Sequence, residues 1–316
     1  MGIKKYILTK MFLSGDQPER KAAAEIASRP ETIKSNPDAP TRYEILPNVV
    51  DVIADSRGLK FPGFPDAMST VKNTDEVELE IMQFNPPSDN SGKRQISDED
   101  LQELEEIAEG LGCVNLGFCK LDHKYIFKTQ GVIYENVIVV GAKMDREILK
   151  SVPSKQGGVM WMQSYNQASK AVFALAKRMR EMGYDCQPSP SSVGPVLYPP
   201  TAAGSALGIT GRHGLMIVAD AGTPVRLAMI FTNIENLPVG QDQEKISAMR
   251  DYCSQCGKCV TACPAGAIYD EPIVHENGTI THIDTSKCIV QFSRNEGCGV
   301  CAKVCPQMNN VNIAIR

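Results

Sequence analysis

The sequence of 316 residues lacks any apolar stretch long enough to cross a membrane as a helix. Its longest apolar runs, Val137–Ala142 and Leu215–Ala219, fall far short of the roughly 20 residues that such a helix needs. The N-terminus also lacks the apolar run of a secretory signal and the paired arginines that can precede one. These absences predict a soluble, cytoplasmic protein that does not act at a membrane.

An excess of positive charge and nucleotide-binding motifs are absent as well. The 33 Lys and Arg residues stand against 37 Asp and Glu residues, so the formal net charge is -4. This balance argues against a nucleic-acid substrate, because neutralising phosphates requires clustered Lys and Arg side chains. No GxGxxG follows a candidate strand and no Walker loop occurs, so nothing favours a nicotinamide or nucleotide cofactor.

Cysteine, in contrast, is plentiful and unevenly placed. Eight of the 11 cysteines lie within residues 253–305, in two runs that each end in CxxxCP. Such crowding is typical of metal ligands rather than of a disulfide framework. The other three are Cys113, Cys119 and Cys186. They are predicted to be small buried side chains.

The spacing within the two runs predicts two 4Fe-4S clusters in the two-cluster ferredoxin pattern. Two-residue gaps let one loop present three thiolates to one cube, while the fourth cysteine of the run reaches the other cube. Structural zinc, which also uses CxxC pairs, is the alternative. The gap between Cys288 and Cys298 is longer than in a simple ferredoxin, which indicates an insertion facing another cofactor or domain. The assignment is Cys253, Cys256, Cys259 and Cys305 to one cluster, and Cys288, Cys298, Cys301 and Cys263 to the other.

The middle of the chain alternates between helical and strand patterns. Ser97, with Asp100 three residues later, predicts the start of a helix. Apolar positions at three- and four-residue spacing predict a second helix from about Gln163 to Met182. Apolar runs predict strands at Val137–Val140, Leu215–Ala219 and Val225–Thr232, and Pro188–Gly194 reads as a turn. We therefore divide the chain into an irregular N-terminal extension (1–95), an α/β domain (96–244) and a cluster domain (245–316).

Two segments ahead of the cysteine runs resemble a known family. They read GITGRHGLMI at 208–217 and GTPVRLAMIFT at 222–232. This order, followed by CxxCxxCxxxCP, resembles the cobalamin-dependent reductive dehalogenases and their sister family, the epoxyqueuosine reductases. The resemblance covers roughly Gln163–Pro306, and the first hundred residues carry none.

The resemblance implies a nitroreductase-like α/β (α+β) domain that binds a corrinoid, base-off cobalamin, beside a two-cluster ferredoxin-like domain. The clusters would pass single electrons to cobalt, which reduces a small organic substrate such as an organohalide. A low-potential donor, ferredoxin or flavodoxin, is the implied protein partner. None of the four histidines lies in the Asp-x-His-x-x-Gly arrangement that supplies a lower cobalt ligand in other corrinoid proteins, which suits an unligated lower face.

The same resemblance gives reaction roles to Tyr165 and Arg226. Tyr165 lies where these enzymes place a tyrosine that hands over a proton, and Arg226 lies where an arginine supports that tyrosine or binds the departing halide. A phenol is a poor proton donor at neutral pH unless a cation adjusts it. From periodicity alone, Tyr165 continues an apolar helix stripe, and Arg226 is either a surface arginine or a cation turned into a pocket.

Further candidates are cofactor-binding residues ahead of the cysteine runs. Glycines let a backbone approach a corrin ring or its nucleotide tail, although turns alone also explain them. Trp161, the only tryptophan, either walls the pocket or belongs to the core. The cofactor-binding candidates are Gly204, Gly208, Gly211 and Arg212.

Departures from the family patterns leave the substrate open. Residues 191–194 read SSVG where respiratory dehalogenases often have an asparagine, and the twin-arginine signal of those members is missing. Residues 164–167 read SYNQ, without the Asp-Tyr-His of epoxyqueuosine reductases. Three functions therefore compete: a reductase of the reductive dehalogenase type, an epoxyqueuosine reductase acting on tRNA, and a non-catalytic electron carrier or corrinoid-reactivating protein.

Overall fold

The computed structural model describes residues 25–35, 91–191, 194–219, 221–240 and 243–309. In chain order its strands are β1 (Ile33–Lys34), β2 (Gly117–Lys120), β3 (Gly131–Val132), β4 (Asn136–Lys143), β5 (Cys186–Ser189), β6 (Gly208–Thr210), β7 (Met216–Val218), β8 (Val225–Thr232), β9 (Ile268–Val274) and β10 (Ile280–Ile283). Its helices are α1 (Asp98–Gly110), α2 (Arg146–Ser151), α3 (Lys155–Glu181), α4 (Tyr198–Ala203), α5 (Gln243–Cys256), α6 (Lys258–Ala262), α7 (Thr285–Arg294), α8 (Val300–Val304) and α9 (Pro306–Asn309).

The central element is a four-stranded sheet with the order β2-β4-β8-β5. Strands β4 and β8 pair along their whole length, and every ladder of the sheet is antiparallel. Val137 and Val139 face one core while Ile138 and Val140 face another, so both faces of the sheet are buried. This double burial explains the unbroken apolar run in an antiparallel strand, and it confirms the strands predicted at β4 and β8.

Helices α1 and α3 cover one face of the sheet. Helix α1 begins at the predicted place, because the Ser97 side chain accepts a hydrogen bond from the backbone N–H of Asp100. Arg178 of α3 donates two hydrogen bonds, of 2.6 and 3.1 Å, to the carboxylate of Glu103 in α1. The mixture of helices and strands agrees with the predicted fold class. Because the central sheet is antiparallel, the fold is of the α+β kind. The likeness to nitroreductases stays a prediction.

The predicted start of α3 was wrong by eight residues, since the helix begins at Lys155 rather than Gln163. Gly157 and Gly158 discourage a helix in sequence, because each glycine costs about 1 kcal/mol relative to alanine. Packing overrides that preference: a Cβ on Gly157 would lie 2.4 Å from the Val152 side chain. The helix therefore reaches back to Ser154, whose side chain accepts from the Gly157 N–H.

The turn predicted at Pro188–Gly194 was also wrong in its first residues. Cys186–Ser189 forms β5, which pairs with β8 at the edge of the sheet. Pro188 has no N–H to donate, and an edge strand is where a sheet tolerates proline.

A third apolar core joins the C-terminal region to the sheet domain. It includes Val152, Trp161 and Ile217 from the domain and Met249 and Met308 from the C-terminal region. Lys303 Nζ donates to the Val152 carbonyl at 2.8 Å, which adds a polar tie across the same surface.

Most of the predicted N-terminal extension lies outside the described residues. Where the structure describes it, β1 pairs with β3 and the Gly92 N–H donates to Asp185 at 2.7 Å. The division into domains stays a prediction. Within the described part of the chain, no helix is both long and apolar enough to span a bilayer.

Candidate metal centres and reaction site

Four of the predicted ligands gather around one cavity. Cys253 and Cys256 lie in the last turn of α5, Cys259 in α6 and Cys305 just before α9. All four, which we call the first thiol group, line an open cavity of about 290 Å³. The pKa of Cys305 is raised to about 11, mainly by burial and in part by the nearby Cys253 and Cys259. The structure thus brings together residues from both cysteine runs.

The other four predicted ligands form a second group. The pKa of Cys301 is raised to about 12, mainly by burial and in part by Cys288 and Cys298. The pKa of Cys288 is raised by burial and then by Cys263 and Cys298. Cys259 of the first group also raises the pKa of Cys301, so the two groups are neighbours. Among the described residues, no three His, Cys, Asp or Glu side chains converge closely enough to hold a single metal ion.

Left-handed backbone turns shape the loops that carry these thiols. Gly257, directly after Cys256, has a φ of 60°. In the second group the φ angles of Gly297, Cys298 and Gly299 are 81°, 44° and 86°. Turns of this kind can direct backbone N–H groups into a concave site for an anion, which is what a thiolate-bound cluster presents.

Trp161 of α3 packs directly against the loop of Cys298. A Cβ on Gly299 would lie 2.6 Å from the indole ring, and one on Gly297 would lie 2.8 Å from it. Only glycine therefore leaves room for the ring at these two positions. The indole Nε1 is buried and has no hydrogen-bond partner among the described residues.

Tyr165 and Arg226 meet one helical turn further along α3. The Arg226 guanidinium carbon lies 3.8 Å from the centre of the Tyr165 ring. Arg226 Nε donates to Ser164 Oγ at 3.0 Å, and Nη2 donates to the Trp161 carbonyl at 3.4 Å. Arg226 is the second residue of β8 and lies on the face that packs against α3, so its side chain turns onto the helix. Both stacked side chains are partly exposed, whereas Ser164 is buried.

The predicted cofactor-binding glycines have close neighbours within the protein. A Cβ on Gly208 would lie 1.9 Å from the Ile217 carbonyl oxygen, and one on Gly211 would lie 2.7 Å from the His213 ring. A Cβ on Gly204 would lie 3.1 Å from the carbonyl oxygen of Thr201. Packing thus explains Gly208 and Gly211 without a ligand, and a corrinoid contact stays a prediction.

Arg212, the fourth predicted cofactor residue, binds the C-terminal region. Its guanidinium donates to the backbone carbonyls of Ser254, at 3.2 Å, and Asp270. The positive charge stands close enough to Cys253 to lower its pKa, against the larger opposing effect of burial. Arg212 therefore ties the β6–β7 loop to the first thiol group, and its contact with a corrinoid stays a prediction.

His213 is a site residue that the sequence analysis missed. Its side chain is 3% exposed and lines the first thiol cavity. Its pKa is lowered to about 4, mainly by burial and in part by His282. The only signal in the sequence was its place inside the GRHGL segment.

The three remaining cysteines are buried in the sheet domain, as predicted. Burial is the largest cause of a raised pKa in each, to about 11 for Cys113 and Cys186 and about 12 for Cys119. They are protonated at neutral pH and chemically quiet.

Residues 252–309 match the family model of the 4Fe-4S dicluster domain. The C-terminal region is thus similar to domains that hold two 4Fe-4S clusters, which favours iron over zinc for the two thiol groups.

Over about half of its length, the chain also resembles reductive dehalogenases. It is 32% identical over 181 residues to the tetrachloroethene reductive dehalogenase of Sulfurospirillum multivorans, covering 54% of this chain and 35% of that protein. It is 26% identical over 192 residues to the epoxyqueuosine reductase of Aliivibrio fischeri, covering 53% of this chain and 48% of that one. The resemblance to both groups is confirmed, and the chain spans about a third to a half of the length of these curated relatives.

A solved structure shares the fold. It is a reductive dehalogenase described as suggesting a mechanism for B12-dependent dehalogenation, with a TM-score of 0.65 and 16% identity. The match covers 90% of this chain and 45% of that protein.

Proposed function

We propose that the chain is a corrinoid-dependent reductase of the reductive dehalogenase type, which cleaves a carbon–halogen or similar bond in a small organic substrate. One observation carries the proposal. Helix α3 presents Trp161 to the loop of Cys298 and, one turn later, presents Tyr165 to Arg226. A single helix therefore connects the electron-transfer module with the candidate reaction residues.

Two 4Fe-4S clusters fit the two thiol groups. The match to the dicluster domain supports this number. The influence of Cys259 on Cys301 supports a short path between the clusters. The proposed ligands are Cys253, Cys256, Cys259 and Cys305 for the first cluster, and Cys263, Cys288, Cys298 and Cys301 for the second.

A base-off corrinoid, when bound, supplies a cobalt centre that accepts single electrons and reduces the substrate. The partly exposed pair of Tyr165 and Arg226 fits a group that binds over it. The B12-dependent dehalogenase that shares the fold supports the choice of cofactor. The four histidines all have other neighbours, which fits a cobalt that no histidine ligates. His123 contacts Glu135, and His275 contacts Thr281. His213 lines the cavity of the first four cysteines, and His282 is its neighbour.

Tyr165, Arg226 and Ser164 have different roles in the proposed reaction. The Tyr165 hydroxyl holds the proton that passes to the substrate carbon or leaving group. The Arg226 guanidinium stabilises the phenolate that remains, because it lies stacked on the same ring. Ser164, which is buried, fixes Arg226 through its hydroxyl.

The proposal is tested with the full chain, reconstituted anaerobically with iron, sulfide and hydroxocobalamin. We expect about eight irons and one cobalt per chain, as two cubes and one corrinoid require. With a low-potential donor such as reduced ferredoxin or flavodoxin, the protein should release halide from some member of a panel of halogenated phenols and alkenes. Full reduction of cobalt without halide release from any of them would contradict the dehalogenase function.

Epoxyqueuosine reductase is the second candidate, favoured by the 26% identity to that relative. This function requires tRNA binding that weakens steeply as salt is raised. Assaying halide release and epoxyqueuosine-tRNA reduction on the same preparation separates the two candidates. Reduction of clusters and cobalt with neither activity would leave an electron carrier or a corrinoid-reactivating protein.

A further inference from the structure

The side chain of His213 carries one hydrogen-bond donor that has no acceptor among the residues that the structure describes. Its Nδ1 accepts a hydrogen bond from the backbone N–H of Leu215 at 3.1 Å. A ring nitrogen that accepts carries no proton, so the proton of the neutral imidazole lies on Nε2. Nε2 is buried and has no partner among the described residues.

The surroundings of His213 restrict what can accept this hydrogen bond. The ring lines the cavity of Cys253, Cys256, Cys259 and Cys305. Leaving a buried N–H unpaired is unfavourable, so an acceptor is expected inside the cavity.

Gln307, which also lines the cavity, offers a competing acceptor. Its Nε2 is occupied by the Met249 carbonyl at 2.8 Å. Its Oε1 is buried and also lacks a partner among the described residues, so it does not receive the His213 hydrogen bond in this structure.

We propose that His213 donates a hydrogen bond from Nε2 to a sulfur of the cluster held by Cys253, Cys256, Cys259 and Cys305, and so raises the reduction potential of that cluster alone. This inference rests on the proposed function, because it requires a 4Fe-4S cluster in the first thiol group. One-electron reduction adds a negative charge shared by the cluster sulfurs, and a donor aimed at those sulfurs stabilises the reduced form more than the oxidised form.

The test is a potentiometric titration of the reconstituted full chain, followed by electron paramagnetic resonance. His213→Phe keeps a ring in the cavity and removes the donor. We expect its equilibrium constant for reduction of one cluster to fall about tenfold, which corresponds to about 59 mV for a one-electron couple. The second cluster should keep its potential. His213→Gln, which can place an N–H near the same point, should recover most of the shift.

His282→Phe is the matched control. It removes a second, half-buried histidine that neighbours His213 but does not line the cavity. We expect both cluster potentials of this variant to match those of the unmodified chain. An equal shift in His282→Phe would show that the potential follows general packing, and it would overturn the assignment of the donor to His213.

Iron content separates failure of the inference from failure of the proposed function. With two clusters assembled in His213→Phe and neither potential changed, the inference is wrong and the proposed clusters stand. An unmodified chain that assembles no cluster in the first thiol group overturns both.

A second measurement covers the case in which His213→Phe does not assemble. The unmodified chain, labelled with ¹⁵N-histidine, should show in pulsed resonance spectra a histidine nitrogen and an exchangeable proton coupled to the reduced first cluster. Absence of both couplings would place water or Gln307 against His213 and overturn the inference.

Discussion

The Arg226 guanidinium carbon lies 3.8 Å from the centre of the Tyr165 ring. The two residues are 61 positions apart in sequence, and the pairing of β8 with β4, together with the packing of α3 on that sheet, brings them together. The hydrogen bond from Nε to Ser164 Oγ prevents Arg226 from swinging into solvent. The cation is thus held on the ring face, and the phenol hydroxyl at the ring edge stays available for proton transfer.

Tyr165→Phe should abolish proton delivery while the stack with Arg226 remains. General acid catalysis contributes about 10²- to 10⁴-fold, so we expect a loss of that size in kcat when halide release is measured. Cluster and cobalt contents should not change. Tyr165→Phe activity within twofold of the unmodified chain would contradict a role of the hydroxyl.

Ser164→Ala tests how strongly kcat depends on the position of the Arg226 side chain. The substitution leaves Arg226 Nε without its side-chain acceptor and removes no reacting group. We expect a smaller decrease in kcat, about tenfold, because one hydrogen bond to a charged group is lost. Ser169→Ala is the matched control, since Ser169 is also buried in α3 but takes part in neither of the Arg226 hydrogen bonds described above. Equal losses in both variants would point to damage of the helix rather than to Arg226.

The two thiol groups can be distinguished by combining substitutions. Cys305→Ala should remove the cluster shared with Cys253, although Cys305 lies in the other cysteine run. Cys253→Ala added to Cys305→Ala should therefore cost no further iron, leaving about four irons per chain. Cys288→Ala added to Cys305→Ala should leave almost none. Iron and sulfide analysis measures each outcome.

Cys113→Ala is the control for this series, because Cys113 is a buried cysteine outside both groups and should leave the iron content unchanged. If Cys288→Ala and Cys305→Ala together left four irons while Cys253→Ala and Cys305→Ala left none, the ligands would follow the order of the sequence rather than cross between the runs.

Local patterns predicted the parts of this molecule that local interactions determine. Apolar runs predicted β4 and β8, and a capping residue predicted the start of α1. The early start of α3 could not be predicted, because Gly157 is acceptable only once Val152 packs against it. The fit of Trp161 to Gly297 depends on a contact across more than 130 residues, which no local pattern contains. The free donor of His213 likewise becomes visible only when the Leu215 N–H is seen to occupy its other nitrogen.

Iron loading should depend on pH through the raised thiol pKa values. Burial is the first cause of the raised pKa of Cys301, to about 12, and of Cys305, to about 11. These thiols hold their protons at neutral pH in the iron-free protein, and iron binds only the thiolate. Lowering the pH makes each proton harder to release, so cluster assembly should weaken from about pH 8 to about pH 6. A dye in weak buffer should record proton release during reconstitution. Assembly that strengthens at lower pH would contradict this account.

Gly208 in β6 can be used to test whether this position serves strand packing or cofactor binding. A Cβ on Gly208 would lie 1.9 Å from the Ile217 carbonyl oxygen, in the neighbouring strand β7. Backbone atoms cannot yield as a side chain would, so Gly208→Ala should destabilise the fold by about 3 kcal/mol, at the upper end for overpacking. Thermal unfolding of the cofactor-free protein should show a Tm lower by several degrees.

Gly110→Ala is the control, because nothing lies within 4 Å of the added Cβ at the end of α1. Alanine in a helix should raise stability by about 0.5 to 1 kcal/mol. If Gly208→Ala kept its Tm and lost only corrinoid affinity, the glycine would serve the cofactor and not the pairing of β6 with β7.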